Sequence, residues 1–184
     1  MLVIGLGTVG LLTTALLSRF PLAVLAAAEP QSRRLQAARA LAACPIVAGG
    51  AEIQRALGPR GADLVYELSG NPEALDAAIA AAGHEARVVV GSWYGDKRAP
   101  IDLGGRFHRR RLQLVSSQVS HIGAALSARW DRQRRFDAAW RALGDIDTLP
   151  LVSHRVPFAE AQAAYELLDR NPGDVLQVLL DYRR

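Results

Sequence analysis

The chain has 184 residues, of which 50% are hydrophobic. A chain of this size can bury one substantial core, so we expect one domain or one domain with an appendage. The 22 Lys and Arg residues against 18 Asp and Glu residues leave a net charge of +4, which gives only weak support to an anionic partner.

Cysteine usage and hydropathy narrow the class of protein further. The single cysteine, Cys44, excludes an internal disulfide framework and a zinc site built from several thiolates, and it predicts a cytoplasmic location. No apolar run reaches the about 18 residues of a membrane helix. The opening stretch lacks the basic residues of a signal peptide and is interrupted by glycines. We therefore expect neither a membrane span nor a secretion signal.

Short apolar runs alternate with helical patterns through the first half of the chain. The runs predict strands at residues 2–4, 22–27, 46–48, 63–68, 87–90 and 112–116. The intervening patterns predict helices at residues 9–20, 30–43, 51–57 and 72–82, the last opened by an Asn71 cap and a first-turn Pro72. Because a parallel crossover needs an intervening helix, this alternation predicts an α/β fold with a Rossmann-type, doubly wound parallel sheet.

The regular alternation of strand and helix patterns ends after Gly91. The stretch SWYGDKRAPIDLGG is rich in turn residues and predicts a loop. Beyond the strand at 112–116, the pattern predicts a helix at 129–143, a strand at 151–156, a helix at 159–169 and a strand at 175–180. We expect a dinucleotide-binding domain at 1–124 and a C-terminal α+β segment at 125–184, although no linker marks the boundary.

The opening MLVIGLGTVG has the glycine spacing of a dinucleotide-binding turn. Gly5 permits a tight turn after the strand, Gly7 lets the backbone approach a pyrophosphate, and Gly10 lets the helix pack closely on the strand. Glu29 follows the second predicted strand, where a carboxylate can accept the ribose hydroxyls of the adenosine. The alternatives are a glycine turn kept only for packing and a Glu29 that is merely solvated.

Glu29 also bears on the choice of nucleotide. A carboxylate at this position repels a 2′-phosphate, so the sequence favours NAD, with NADP as the less favoured cofactor. Arg33 and Arg34 complicate this preference, because a guanidinium can pair with a 2′-phosphate or lie over the adenine face.

Four stretches resemble a known family. VIGLGTVGLL, YELSGNPEAL, RVVVG and above all the tail LVSHRVPFAEAQAAYELLDRNPGDVLQVLLDY are similar to the zinc-type alcohol, sorbitol and threonine dehydrogenases of the medium-chain dehydrogenase/reductase family. The resemblance implies a GroES-like catalytic domain, then a cofactor domain, then a return of the chain to the catalytic domain. This sequence matches only the second and third parts. The zinc ligands of the family and its four-cysteine zinc lobe have no counterparts here, so zinc is expected only in a complete family member.

The resemblance also assigns cofactor contacts to individual positions. It implies Gly5, Gly7, Thr8, Val9, Gly10, Glu29 and Arg34, and less securely Leu68 and Ser69 near the nicotinamide, Val90 and Gly91 at the next strand end, and Ser117 beyond. Gln177 falls about where some relatives place a pyrophosphate-binding arginine.

Other chemistries have weaker support. The four histidines, at positions 84, 108, 121 and 154, have no spacing that converges on a metal ion, and catalytic zinc usually needs three protein ligands. Cys44 reads as a small buried apolar residue rather than a nucleophile. Tyr94 and Asp96 lie on the loop after the fifth strand, on the side where α/β sheets bind ligands, but a Tyr or Asp in a loop is usually only a turn residue. No nucleophile elbow is present.

Two arginine clusters, FHRRR and RWDRQRR, superficially resemble nucleic-acid surfaces. However, Asp131 and Asp137 interrupt the second cluster. An amphipathic helix with Trp130, Phe136 and Trp140 on its apolar side would place the arginines in solvent. We therefore expect no nucleic-acid partner.

Two functional hypotheses follow. In the first, the chain is the NAD(P)-binding portion of an oxidoreductase that transfers hydride between an alcohol or carbonyl substrate and nicotinamide, and no catalytic residue is assigned to it. In the second, it is a stand-alone nucleotide-binding module, or a truncated remnant, without turnover. The segment at 151–182 must either fold back on the cofactor domain or leave apolar surface that seeks a partner. The resemblance implies pairing of two copies through the strand edge at 112–116, and an uncovered edge invites such pairing, so we expect a homodimer or a missing catalytic domain as the partner.

Overall fold

The computed structural model describes residues 1–42, 44 and 46–183. Its main feature is a six-stranded sheet with the order β3-β2-β1-β4-β5-β6, in which every neighbouring pair is parallel. The strands are β1 (Leu2–Ile4), β2 (Ala26–Ala28), β3 (Ile46–Val47), β4 (Ala62–Glu67), β5 (Ala82–Val90) and β6 (Gln113–Ser116). The strand order reverses between β1 and β4, as in a doubly wound Rossmann fold. The predicted fold class is confirmed.

Four helices cover the two faces of this sheet: α1 (Thr8–Leu17), α2 (Ser32–Leu41), α3 (Ala51–Leu57) and α4 (Glu73–Ala81). Successive side chains of β1 belong to two different buried clusters, one on each face of the sheet. Leu2 and Ile4 belong to one buried cluster together with Ile53 of α3, whereas Val3 belongs to a second cluster together with Leu11 of α1. Because successive strand residues point to opposite faces, this three-residue strand contributes to both cores.

Several element boundaries differ from the sequence prediction. The strand predicted at 22–27 begins only at Ala26, because its partner β1 has three residues and pairs Leu2 with Ala26. The first helix ends at Leu17 rather than at residue 20, where the chain turns and Phe20 is exposed. The predicted end of the second helix at residue 43 lies outside the described residues.

The fifth strand is longer than predicted because of an irregularity near its start. Ala62 pairs with Ala82, but Leu64 pairs with Arg87, so β5 carries extra residues at this point. Glu85 lies there with a φ of 56° and forms an ion pair with Arg111 at 3.1 Å. The polar residues of this bulge hid the beginning of the strand from the hydrophobic pattern.

The C-terminal part of the chain contains the predicted helices and strands and a short helix that was not predicted. The elements after β6 are α5 (Ala124–Ser127), α6 (Arg132–Gly144), β7 (Val152–Pro157), α7 (Ala161–Arg170) and β8 (Gln177–Asp181). Ahead of β6, a π-type turn (Leu103–Phe107) follows the predicted loop and includes its last residues. β7 and β8 form a separate two-stranded parallel sheet. Ser153 lies at a register shift in β7, and its hydroxyl accepts from Leu176 N at 3.0 Å and donates to Gln177 O at 3.1 Å.

Apolar and ionic contacts join this C-terminal part to the larger sheet. Leu151 is buried in the cluster that contains Leu11, and Leu176 packs against the same cluster. Arg19, just after α1, forms an ion pair with Asp145 at 3.0 Å. Among the described residues, no helix has the length and apolar character needed to cross a membrane.

Candidate functional site: a nucleotide-binding edge of the sheet

The glycine-rich turn lies between β1 and α1, where the strand order of the sheet reverses. Gly5 has a φ of +87° and touches the backbone of Ser69, so a side chain there would be strained and would collide with that backbone. A Cβ at Gly10 would collide with the carbonyl oxygen of Gly5. Gly7 is different, because a Cβ there would meet nothing within 4 Å. Two glycines therefore permit the close packing of the turn, and the third leaves open space.

The open space at Gly7 adjoins the N-terminus of α1. Gly7 is the N-cap residue, and no side chain caps the helix. The first backbone N–H groups of an α-helix have no partner within the helix, and the helix dipole favours negative charge there. The turn can therefore accept a phosphate group, and Thr8 and Val9 are the first two helical residues beside it.

Glu29 follows β2 on the adjoining side of the turn and is only 3% exposed. One carboxylate oxygen accepts from Leu6 N at 2.8 Å, the other accepts from Gln31 N at 3.1 Å, and Arg34 lies 3.8 Å away. Glu29 is therefore not the solvated acid of the alternative interpretation. It connects the glycine-rich turn to the loop that precedes α2.

The loop between α7 and β8 reaches the same edge of the sheet. Thr8 donates its hydroxyl to Leu176 O at 2.8 Å and lies 3.2 Å from Gln177 Oε1. Arg34 donates to Pro172 O at 3.1 Å, and its Nε is buried without a hydrogen-bond partner. Sequence reasoning placed Gln177 near the pyrophosphate only by resemblance, whereas the structure brings its side chain to the start of α1.

The remaining predicted residues lie beyond β1 and β2, at the carboxyl ends of the other half of the sheet. Leu68 and Ser69 follow β4, Val90 and Gly91 end or follow β5, and Ser117 follows β6 and donates its N–H to Val90 O at 2.8 Å. The carboxyl ends of parallel strands share one edge, and ligands of open α/β sheets bind outside that edge at the reversal of strand order. All twelve predicted site residues therefore belong to this edge or to the first turns of the helices that start from it.

Two residues of this edge were not assigned to the site from the sequence: Glu67, which was not considered, and Tyr94, which was considered only a turn residue. Glu67, the last residue of β4, is completely buried, and its carboxylate accepts from the hydroxyl groups of Ser69 and Tyr94. Burial and the bonded Glu67 carboxylate raise the pKa of the Tyr94 phenol, in that order of importance. A lone acid in the apolar run LVYELSG was the available signal, because buried acids are rare unless they have partners.

The alternative chemistries have simpler structural explanations. Among residues 1–42, 44 and 46–183, no three His, Cys, Asp or Glu side chains are grouped so that they could hold a metal ion. The described residues therefore do not fit the catalytic zinc of the zinc-type dehydrogenases. Burial raises the pKa of the Cys44 thiol, which disfavours the nucleophilic thiolate. Arg110 of the first arginine cluster donates to the carbonyl group of Ala82 at the end of α4, and Arg106, just before the cluster, donates to that of Ala80.

The apolar side predicted beside the second arginine cluster is exposed rather than packed against another element. Trp130 precedes α6, and the Arg134 guanidinium lies over its ring at 4.6 Å from the centroid. Phe136 and Trp140 lie on α6, but both are exposed, and no residue of this helix is buried.

Comparison with known proteins agrees with this geometry. The D-guloside 3-dehydrogenase of Escherichia coli K12 is 26% identical over 178 residues, which are 92% of this chain and 51% of that protein. The alcohol dehydrogenase TADH from Thermus sp. ATN1 superimposes with a TM-score of 0.78 at 26% identity, over 99% of this chain and 50% of that one. The resemblance to the medium-chain dehydrogenase/reductases is confirmed.

Two further structures of dehydrogenases contain a cofactor. An alcohol dehydrogenase from Escherichia coli CFT073 in complex with NADH matches with a TM-score of 0.77 at 20% identity, over 98% of this chain and 51% of that one. A dehydrogenase from Sinorhizobium meliloti 1021, solved with NADP, matches with a TM-score of 0.69 at 22% identity, over 89% and 47% of the two chains. A comparison with models of protein families gives no match.

The match covers only part of each medium-chain dehydrogenase. The chain spans about half the length of the curated relative and of the solved structures described here. The part that it matches is the NAD(P)-binding domain of the medium-chain dehydrogenases.

Proposed function

We propose that this chain binds a nicotinamide dinucleotide and is the cofactor-binding part of an oxidoreductase of the medium-chain type. The observation that carries the proposal is the open, uncapped start of α1 beside Gly7, at the reversal of strand order. In this proposal residues 1–124 form the binding domain, and residues 125–184 form a C-terminal segment whose loop borders the site. The bound nicotinamide would supply hydride transfer to or from an alcohol or carbonyl substrate.

Gly7 offers a direct test, because the structure separates its effect on folding from its effect on binding. Gly7→Ala fills open space without backbone strain, since its φ is −66°. The added methyl group stands where a pyrophosphate would approach the backbone, so we expect NADH to bind about tenfold more weakly, a loss of about 1.4 kcal/mol. Fluorescence titration of NADH measures this change. Gly123→Ala is the matched control, because a Cβ there also meets nothing within 4 Å.

Two results would contradict the proposal. One is a parent protein to which neither NADH nor NADPH binds. The other is a Gly7→Ala variant that binds NADH as tightly as Gly123→Ala does.

For the choice of nucleotide we propose NAD. The carboxylate of Glu29 places a negative charge at the end of β2, and the nearby Arg34 is already engaged by that carboxylate and by Pro172 O. A 2′-phosphate would meet the carboxylate rather than a free guanidinium. We therefore expect a smaller dissociation constant for NADH than for NADPH.

The variant Glu29→Gln tests this preference, because it changes the charge of the side chain and not its size. The amide keeps the size of the side chain and an acceptor for Leu6 N, but it removes the charge. The difference between the NADH and NADPH dissociation constants should shrink in this variant, with the thermal midpoint recorded as a control for folding. Equal binding of both nucleotides to the parent would contradict the assignment.

We also propose that the chain forms a homodimer through the edge of the sheet. All four residues of β6 are exposed, including Leu114 and Val115, and an open strand edge is a template for pairing with another strand. Light scattering should give twice the chain mass at tens of micromolar, and Val115→Lys should shift the protein toward a monomer. A monomeric parent would contradict this proposal.

The single cysteine fits a cytoplasmic location.

A further inference from the structure

Glu67 is a buried acid whose hydrogen bonds come from two different loops. It is 0% exposed. Its Oε1 accepts from the N–H of Ser69 at 2.8 Å and from the Ser69 hydroxyl, and its Oε2 accepts from the Tyr94 hydroxyl. A carboxylate buried away from water is costly unless such bonds satisfy it. The two loops are therefore held to one charged group.

The backbone of Glu67 connects the same two loops. Its carbonyl oxygen accepts from Gly91 N at 3.0 Å and from Ser92 N at 3.2 Å. Ser92 in turn accepts from Gly70 N at 2.8 Å through its hydroxyl. The turn after β4 and the loop after β5 are thus joined at both the main chain and the side chain of a single residue.

This cluster also touches the glycine-rich turn. Ser69, which Glu67 holds in place, is the residue against which Gly5 packs. Ile4 pairs with Glu67 across the two central strands. The position of the loop after β5 is therefore connected, through Tyr94, Glu67 and Ser69, to the turn that would hold the pyrophosphate.

The cluster lies in the half of the sheet formed by β4, β5 and β6, away from Glu29. A doubly wound sheet consists of two mononucleotide-binding halves, so the half without Glu29 takes the second nucleotide. We propose that Glu67 and Tyr94 are positioning residues that keep the nicotinamide side of the site in its binding shape. This inference rests on the proposed dinucleotide binding.

The chemistry of Tyr94 suits a fixed connection. Its phenol has a raised pKa, mainly because of burial and then because of Glu67, so the hydroxyl stays protonated and donates throughout the neutral range. Other bonds hold the start of the loop, where Ser92 N donates to Glu67 O and the Ser92 hydroxyl accepts from Gly70 N, whereas the intervening Trp93 is 89% exposed. Without the hydroxyl, the loop would spend part of its time in other positions, and binding would weaken in proportion to the competent fraction.

Tyr94→Phe tests the inference with two ligands, NADH and ADP-ribose, which lacks the nicotinamide ring. We expect the dissociation constant of NADH to rise about tenfold, as for a competent fraction of about one tenth. The dissociation constant of ADP-ribose should change less than about twofold, because its adenosine binds in the other half of the sheet and the backbone bonds that hold the glycine-rich turn, Gly5 N to Ala28 O and Leu68 N to Ile4 O, do not involve Tyr94. Titration calorimetry measures both. Tyr165→Phe, which removes an exposed phenol on α7, is the control and should change neither value.

The ratio of the two affinities distinguishes positioning from general stability. A Tyr94→Phe variant that weakens both ligands equally, or neither, overturns the inference while leaving the proposed function in place. A parent that binds neither ligand overturns both. Ser92→Ala removes the hydroxyl that accepts from Gly70 N and joins the same two loops, and it should shift the ratio in the same direction, so the test holds even if Tyr94→Phe does not fold.

Discussion

The two sheets of this protein are both parallel, but they differ in how they are buried. All residues of β1 and β2 are buried, whereas the residues of β7 and β8 are partly or fully exposed. The larger sheet has helices on both faces, and two parallel strands alone cannot build such layers. The same local pattern of apolar residues therefore leads to a core in one region and to a surface in the other.

The helices show the same contrast. α1 has ten residues and buries four of them, whereas α6 has thirteen and buries none. Trp140 on α6 is 71% exposed, and Tyr165 on α7 is also exposed. An apolar stripe can be read from a sequence, but its burial depends on whether another element lies against it. Substitutions that act on one region at a time measure this difference in burial.

The largest effect is expected at Gly10. A methyl group there would collide with the carbonyl oxygen of Gly5, which belongs to the backbone and cannot move away as a flexible side chain could. We expect Gly10→Ala to lower the free energy of unfolding by about 4 kcal/mol or more, at the extreme for a single substitution. Denaturant unfolding measures this loss. Gly7→Ala, only three residues away but with nothing within 4 Å of the added methyl group, should cost at most about 1 kcal/mol for the poorer N-cap, and an equal loss in both variants would contradict the packing argument.

A pair of leucines compares the two regions directly. Leu6 is fully buried beside the larger sheet, whereas Leu149, just before β7, is 69% exposed. Leu6→Ala should cost about 3 kcal/mol of unfolding free energy, because it leaves a cavity in the core. Leu149→Ala should cost less than about 0.5 kcal/mol. Similar losses for the two variants would show that the C-terminal surface is covered in solution.

The pH dependence of the unfolding free energy tests the contact between Tyr94 and Glu67, which belongs to the region of the larger sheet. The pKa of Tyr94 is raised in the folded protein above its ordinary value of 10. Above pH 10 the unfolded chain releases this proton first, so the folded state loses stability as pH rises; below pH 10 the contribution is complete. The slope should stay below about 1.4 kcal/mol per pH unit, since solvent screens this loop. Tyr94→Phe should be less sensitive to pH than the parent in chemical unfolding at pH 9 to about 11, and identical slopes would argue against the Glu67 contact.

The smallest effect concerns the junction of the two regions. Thr8→Val removes the hydroxyl that donates to Leu176 O, and we expect a loss of about 1 kcal/mol. Hydrogen exchange should increase at the start of β8 more than in β1, because the lost contact holds only the C-terminal loop. Thr13→Val on the same helix is the control for helix propensity. Equal exchange changes in β1 and β8 would contradict a local junction.

Much of the fold could be predicted because the signals are local. The glycine spacing from Gly5 to Gly10, the acid at Glu29 and the alternation of apolar runs each lie within a short window of sequence, and each reflects a backbone or side-chain requirement of its own element. Boundaries were less accurate. The second strand begins at Ala26 rather than at residue 22 because pairing with β1, and not its own apolar run, sets its length.

Contacts between groups far apart in the sequence could not be predicted, because they depend on how the strands are ordered in the sheet. Tyr94 looked like a turn residue, yet it bonds to Glu67, 27 positions earlier, because β4 and β5 are neighbours in the sheet. Thr8 meets Leu176 from 168 positions away. The helices, the strands and the glycine-rich turn follow from the amino-acid sequence, since propensity and backbone geometry act over a few residues. The partners of buried polar groups and the burial of apolar stripes depend on the order and packing of strands and helices, which no local window contains.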